Sequence, residues 1–243
     1  MKENEKAKRT LFRDDYTESL IAEGLVKIKR WTVTEIIIKR LIDILGGLMG
    51  SLLFLLIMII LFPFYKLSPK KDKGPMIFKQ KRYGKHGEIF YILKFRTMIV
   101  NAEEYFETHP DVYEEYQAHG NKLKNDPRFT KIGSIIRNHS IDEFPQFFNV
   151  LKGDMSLVGP RPILLFEEQE YGSKLPYLLI CKPGITGYWT THGRSKVYFP
   201  ERCDLELKYL NVHSLGFDFL TIFRTVAQAI NGADMYEGDE ETE

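Results

Sequence analysis

Adjacent carboxylates at Asp142 and Glu143, with Arg137 just upstream and Arg161 downstream, are the residues of this chain best suited to chemistry. An ionised carboxylate can attack phosphorus to give an acyl phosphate, and guanidiniums bind phosphate oxygens as paired donors. All four lie in one stretch, residues 126–162 (DPRFTKIGSIIRNHSIDEFPQFFNVLKGDMSLVGPRP). Phe144, Phe147, Phe148 and Leu151 recur at helical spacing, so the two carboxylates are expected to open a helix with one buried stripe. In its first turn Asp142 would face the positive end of the helix dipole, which favours the ionised form. Ser140 followed three residues later by Glu143 also has the pattern of a capping box, so capping is an alternative role for Glu143. On that alternative the chain is a single-pass membrane protein with a non-catalytic cytoplasmic binding or scaffolding domain.

Other chemistries lack their residues. There is no GxxxxGK[ST], no strand-linked GxGxxG and no HExxH, and GKHG at residues 84–87 resembles a phosphate loop only superficially. Cys181 and Cys203 stand in no CxxC or Cys/His spacing, and two cysteines are too few for a disulfide framework, so a reducing compartment is expected. Lys and Arg (34) nearly balance Asp and Glu (33), and the formal charge of +1 gives no global argument for nucleic-acid binding.

The elements that must position the site begin with a membrane segment. Residues 44–64 (ILGGLMGSLLFLLIMIILFPF) carry no charge and would extend roughly 31 Å as a helix, about one hydrocarbon thickness. Lys27, Lys29, Arg30, Lys39 and Arg40 precede the segment, and Lys66, Lys70, Lys71 and Lys73 follow it. Basic flanks on both sides place both ends on the cytoplasmic face and favour a helix that enters one leaflet and returns. Gly46, Gly47, Gly50 and Ser51 could let it bend, and Gly46 with Gly50 also fits a GxxxG face that would make a homodimer. Asp43, beside Lys39 and Arg40, is expected to be an interfacial ion-pair partner.

Around this segment the chain divides into an N-terminal extension (1–35), the membrane helix and its exit (36–74), a catalytic domain (75–232) and an acidic tail (233–243). Residues 76–79 and 89–95 read as a pair of short strands, and residues 101–117 as an acidic, solvated helical stretch interrupted by Pro110. Residues 204–210 continue the helical periodicity, and 215–230 read as an amphipathic interfacial helix. The expected fold is α+β: an N-terminal membrane helix joined to a compact cytoplasmic domain with interfacial helices.

Residues 126–162, with KFRTM at 94–98 and KPGITGYW at 182–189, closely resemble the bacterial monotopic sugar transferases, which are polyprenyl-phosphate hexose-1-phosphate transferases. The resemblance extends over roughly residues 36–232. It implies that Asp142 is the nucleophile that becomes linked to the phosphosugar, and that Glu143 helps hold a Mg²⁺ ion. It implies that Lys94, Arg137 and Arg161 clamp phosphate oxygens, with Arg194 similarly placed and Glu206 at an acidic position of the following helix. Donor and acceptor would be a nucleotide diphosphate sugar, a UDP-sugar, and undecaprenyl phosphate, at the cytoplasmic face of a bacterial membrane. Such a step starts exopolysaccharide, capsule or related glycan assembly. Two departures stand out: the family's mid-helix Ser-Pro is absent, the nearest proline being Pro63, and Glu206 stands where the family generally has Asp, with Asp204 two residues earlier.

Overall fold

A computed structural model of the chain describes residues 29–69, 72–118, 123, 125–192, 199 and 201–231. The apolar run forms most of α1 (Val33–Leu67), one helix of 35 residues whose first turn is closed by a Thr32/Glu35 capping box. Pro63 lies inside it near the C-terminal end.

The glycines of α1 lie against the rest of the chain. They admit the domain. A Cβ on Gly50 would meet the Phe147 ring at 2.2 Å, one on Gly46 would meet Leu157 at 2.6 Å, and one on Gly47 would meet the Leu151 backbone at 3.2 Å. The GxxxG face is thus filled from within the chain by α5 (Gln146–Lys152) and β3 (Ser156–Val158). Asp43 likewise departs from the ion-pair expectation. It is buried and accepts Ser156 Oγ (3.0 Å) and Leu157 N (2.9 Å), while Arg40 donates to the carbonyls of Val150 and Leu151, and Lys39 to Val158 O and Asp218. Farther along, Tyr65 donates to Arg96 O, and Leu61 and Tyr65 pack with Phe95 and Ile136. The domain therefore holds α1 from Lys39 to Tyr65, leaving an exposed apolar face that includes Leu45, Met49, Leu52, Leu56 and Ile59. By length and composition this helix is a candidate membrane span.

The expected strand pair forms as β1 (Ile77–Tyr83) and β2 (Ile89–Phe95), antiparallel, with Phe78 opposite Lys94. The short β4 (Ile163–Leu164) joins the other side of β1, so β2 is a sheet edge. β3 pairs in parallel with β5 (Gly184–Thr186). Pro110 divides the acidic stretch into α2 (Glu104–Thr108) and α3 (Pro110–Ala118), taking the first helical position where its missing N–H costs nothing. α4 (Lys131–Asn138) precedes the carboxylate turn. After β4 come the short α6 (Glu168–Tyr171) and α7 (Leu175–Leu178), and after β5 come α8 (Tyr188–Thr191), α9 (Glu201–Val212) and α10 (Leu215–Asn231). The central core joins Phe90 and Ile92 of β2, Val150 of α5, Leu157 of β3 and Tyr209 and Leu210 of α9. α10 buries Asp218 and Thr221 and exposes Phe219, Phe223 and Val226, as an interfacial helix requires. This is the α+β architecture expected, a long apolar helix joined to a compact domain.

Candidate active site

Asp142 and Glu143 lie on a separate 3-10 turn, Ile141–Glu143, ahead of α5 rather than in its first turn. Ser140 enters the turn at φ +52°, in the left-handed region, and makes no side-chain cap bond. Backbone strain of this kind is held only where the surroundings over-determine it. Here they do: Ile141 and Phe144, on either side of the carboxylates, pack in the cluster formed by Leu61 and Tyr65 of α1 with Phe95 and Ile136. The capping reading of Glu143 gives way to an ion pair, because its Oε1 accepts Lys94 Nζ at 2.8 Å.

Four of the expected residues meet at this turn. Lys94, at the end of β2, also stands 4.0 Å from Asp142 Oδ2, and Arg137, at the end of α4, donates to the same oxygen at 3.2 Å. Asp142 is 2% exposed, whereas the Glu143 side chain remains 35% exposed. Burial pushes the Asp142 carboxyl up from the usual range. Lys94 and Arg137 oppose that rise, and the neighbouring Glu143 charge adds to it. Asp142 sits ahead of α5 on its own turn instead of in the first turn of the helix. For Glu143, removal from water is outweighed by the Lys94 charge and hydrogen bond, then by Arg137 and Arg161, and its carboxyl is held low. The two neighbours are pushed apart, a pattern that accompanies divided roles.

Lys94 and Glu143 line an open cleft of about 330 Å³, whose other walls include Arg82, Gln146, Arg161 and Trp189. Arg161 comes from the loop after β3. That loop is fixed against β5 by Gly159 N–H to Thr186 O (2.9 Å) and Gly184 N–H to Pro160 O (2.8 Å). The backbones approach so closely that a Cβ on Gly184 would lie 2.1 Å from Gly159 N. Arg161 Nη2 faces Glu167 at 3.5 Å, and its backbone N–H donates to Glu206 Oε2 at 2.7 Å. Glu206 is therefore beneath the cleft, 1% exposed on α9 beside Arg202, and burial raises its carboxyl to about 7 against the pull of Arg161 and Arg202. Arg194 lies outside the described residues.

Arg82 is the cleft residue that sequence reasoning missed. Its Nη1 donates to Pro162 O (2.8 Å) and its Nη2 to Gln80 (2.7 Å), while burial and the nearby Arg161 charge lower it to about 9. In the sequence it stands at the start of the connection (residues 82–88) between the two short strands, with nothing to single it out. Arg82 Nε, Arg161 Nε and Trp189 Nε1 are buried donors with no acceptor among the described residues. Such donors ordinarily have partners, and a ligand rich in oxygen acceptors would supply them. Arg96, in KFRTM, is structural: it donates to the carbonyls of Pro75, Met98 and Asp72 and ties the exit of α1 to β2.

The sequence that builds this cleft has relatives among known proteins. The family model described as Bacterial sugar transferase matches residues 34–232. The chain belongs to this family. Galactosyl transferase CpsE of Streptococcus agalactiae is 42% identical over 84% of this chain and 45% of its own length. The undecaprenyl-phosphate galactose phosphotransferase of Salmonella typhimurium is 41% identical over 77% of this chain and 39% of its own length. The exopolysaccharide production protein ExoY of Rhizobium meliloti is 38% identical over 77% of this chain and 83% of its own length. This bacterial sugar transferase thus spans less than half the length of CpsE and of the Salmonella enzyme, and most of the length of ExoY.

Proposed function

We propose that this sugar transferase moves a sugar-1-phosphate from a UDP-sugar to undecaprenyl phosphate at the cytoplasmic face of the membrane, the first step of an exopolysaccharide or capsular glycan. The observation that carries the reading is Asp142: a buried carboxylate between Lys94 and Arg137, behind the wall of a cleft that also presents Arg161. The names of the relatives support the acceptor and the pathway class. The exposed apolar face of α1 supports a lipid substrate met at the membrane. Both ends of α1 are held by one polar domain, which favours a helix embedded from one side over one that carries the chain across.

In the first half-reaction an Asp142 oxygen attacks the sugar-linked phosphorus. The bond from that phosphorus to the UMP oxygen breaks, and UMP leaves with the electron pair. In the second, an oxygen of the lipid phosphate attacks the same phosphorus, and Asp142 departs as carboxylate. Lys94 and Arg137 favour the ionised form of Asp142 against its burial, while Arg161 and Arg82 would offset charge on the diphosphate. Glu143 and the neighbouring Gln146 offer hard oxygens to a cleft open to substrate. That set suits Mg²⁺, which takes one or two carboxylates together with substrate phosphates and water. Bound there, the ion would neutralise charge on the diphosphate. The scaffold alternative has no observation in its favour, since Glu143 pairs with Lys94 instead of capping α5.

Intact-protein mass spectrometry after rapid quench tests the route. A UDP-sugar panel with Mg²⁺ and no lipid should add one phosphosugar mass to the parent and none to Asp142→Asn. Undecaprenyl phosphate should then remove it. An adduct-free parent that releases UMP only once undecaprenyl phosphate is added would replace the two-step route by direct transfer, and no UMP release with any donor even in the presence of the lipid would remove the reading.

A further inference from the structure

As a sheet edge, β2 has, among the described residues, no strand to bond the groups it turns away from β1. At Tyr91 and Leu93 a side chain takes that role. Asn149, on α5 and 2% exposed, accepts Leu93 N–H at Oδ1 (3.0 Å) and donates from Nδ2 to Tyr91 O (2.8 Å). Its second Nδ2 hydrogen goes to Asp154 Oδ2 at 3.2 Å, and its own backbone carbonyl accepts the N–H groups of Gly153 and Asp154. One amide thus imitates a neighbouring strand, presenting an acceptor and a donor to residues i+2 and i of the same edge. Aspartate would keep the acceptor for Leu93 but lose both donors and face Asp154, and an apolar residue would lose all three bonds.

The placement matters because of what lies on either side. Lys94 is the next residue along β2, and Asp142 and Glu143 lie on the turn just before α5. Lys94 is a long side chain that must stand 2.8 Å from one carboxylate and 4.0 Å from the other. Its reach is set by the strand it leaves and the helix that follows its partners, and Asn149 hydrogen-bonds one to the other. We propose that Asn149 is a positioning residue that sets Lys94 against Asp142 and Glu143, so that losing its amide slows phosphosugar transfer through Lys94. The proposal rests on the function proposed above.

A double-mutant cycle on the full-length chain in its membrane fraction, with UDP-sugar and undecaprenyl phosphate, tests it. Asn149→Ala should slow transfer about tenfold or more in the parent but less than about threefold in a Lys94→Ala background, because the second loss is already contained in the first. Its effect on melting temperature should be the same in both backgrounds, which separates positioning from stability. Equal fold-losses in the two backgrounds, or parent-like transfer by Asn149→Ala, would overturn the proposal. Hydrogen exchange at the Leu93 amide supplies a reading independent of turnover. It should accelerate in Asn149→Ala while the core amides of β1 stay protected, and an unchanged rate there overturns the proposal even if the parent transfers no sugar. Absence of transfer by the parent with normal Leu93 coupling would instead strike at the function. Should Asn149→Ala fail to fold, Asn149→Asp, which keeps the volume and the Leu93 acceptor but loses both donors, enters the same turnover cycle, and equal fold-losses in the two backgrounds or parent-like transfer overturn the proposal.

Discussion

Replacing Lys94 by Met removes the ammonium that faces both carboxylates while keeping a side chain of similar length. At 4.0 Å from Asp142, with an effective dielectric constant of 20, the lost attraction is about 4 kcal/mol, equivalent to roughly a thousandfold in the ionised population at a pH below the midpoint. Asp142 is already pushed up by burial, and Lys94 is the largest influence opposing that rise. The sign follows: a nucleophile must be ionised, so activity falls as pH drops through the Asp142 midpoint, and losing Lys94 moves that acid limb to higher pH. The assay is kcat/KM for UMP release from pH 5 to 9 in the parent, Lys94→Met and Lys94→Arg. Lys94→Met should show a displaced acid limb with partial recovery in alkali, while Lys94→Arg, which keeps the charge, should stay near the parent's limb. A uniform loss at every pH with the limb in place would show that Lys94 contacts only substrate phosphate, and the electrostatic reasoning about Asp142 would fall.

Gly50→Ala places a methyl group into the Phe147 ring and should cost about 1–3 kcal/mol, lowering the melting temperature by several degrees. Phe147→Leu in the same chain should return part of it, and a Gly50→Ala protein as stable as the parent would contradict the docking of α1 on α5. Glu206, raised by burial to about 7, holds a proton in the folded state that the unfolded chain releases above about 4.5. Its stabilisation is full below that lower pH and is lost as pH rises towards 7, an effect of up to about 3 kcal/mol. Melting curves at pH 5 and 8 should therefore differ less in Glu206→Gln than in the parent; an unchanged difference would mean that Glu206 does not titrate there. Single cysteines at Lys29 and at the exposed Lys79, in a chain lacking Cys181 and Cys203, should both escape impermeant reagents in intact cells and react in lysed ones. Labelling of the Lys29 position alone from outside would establish a helix that crosses the membrane.

The existence of α1, the β1–β2 pair and the amphipathic α10 was legible in the sequence, because each rests on local periodicity and composition. An uncharged run, an alternation and a one-sided apolar face need no distant partner to be recognised. Residues 137, 142, 143 and 161 stood out in the sequence as reactive types in one stretch, and Lys94 entered through the family resemblance. What they touch was not legible. Ser140 and Glu143 have a capping-box spacing, yet a left-handed Ser140 and a lysine 49 positions earlier in the chain redirect Glu143 into an ion pair. Gly46 and Gly50 carry a dimer pattern that the same chain's Phe147 and Leu157 occupy, since a gap left by a missing Cβ does not specify which side chain fills it. Asp43 has lysine and arginine nearby in sequence but bonds to β3, 113 residues away. Arg82 and Asn149 gave almost no local signal, because their hydrogen bonds run to Pro162 and to the edge of β2, groups that every backbone possesses. Side-chain chemistry is written in the sequence residue by residue, but burial and partner choice arise only when segments far apart in the chain pack together. For Asp142, that packing buries the carboxyl and pushes it up, against the pull of Lys94 and Arg137.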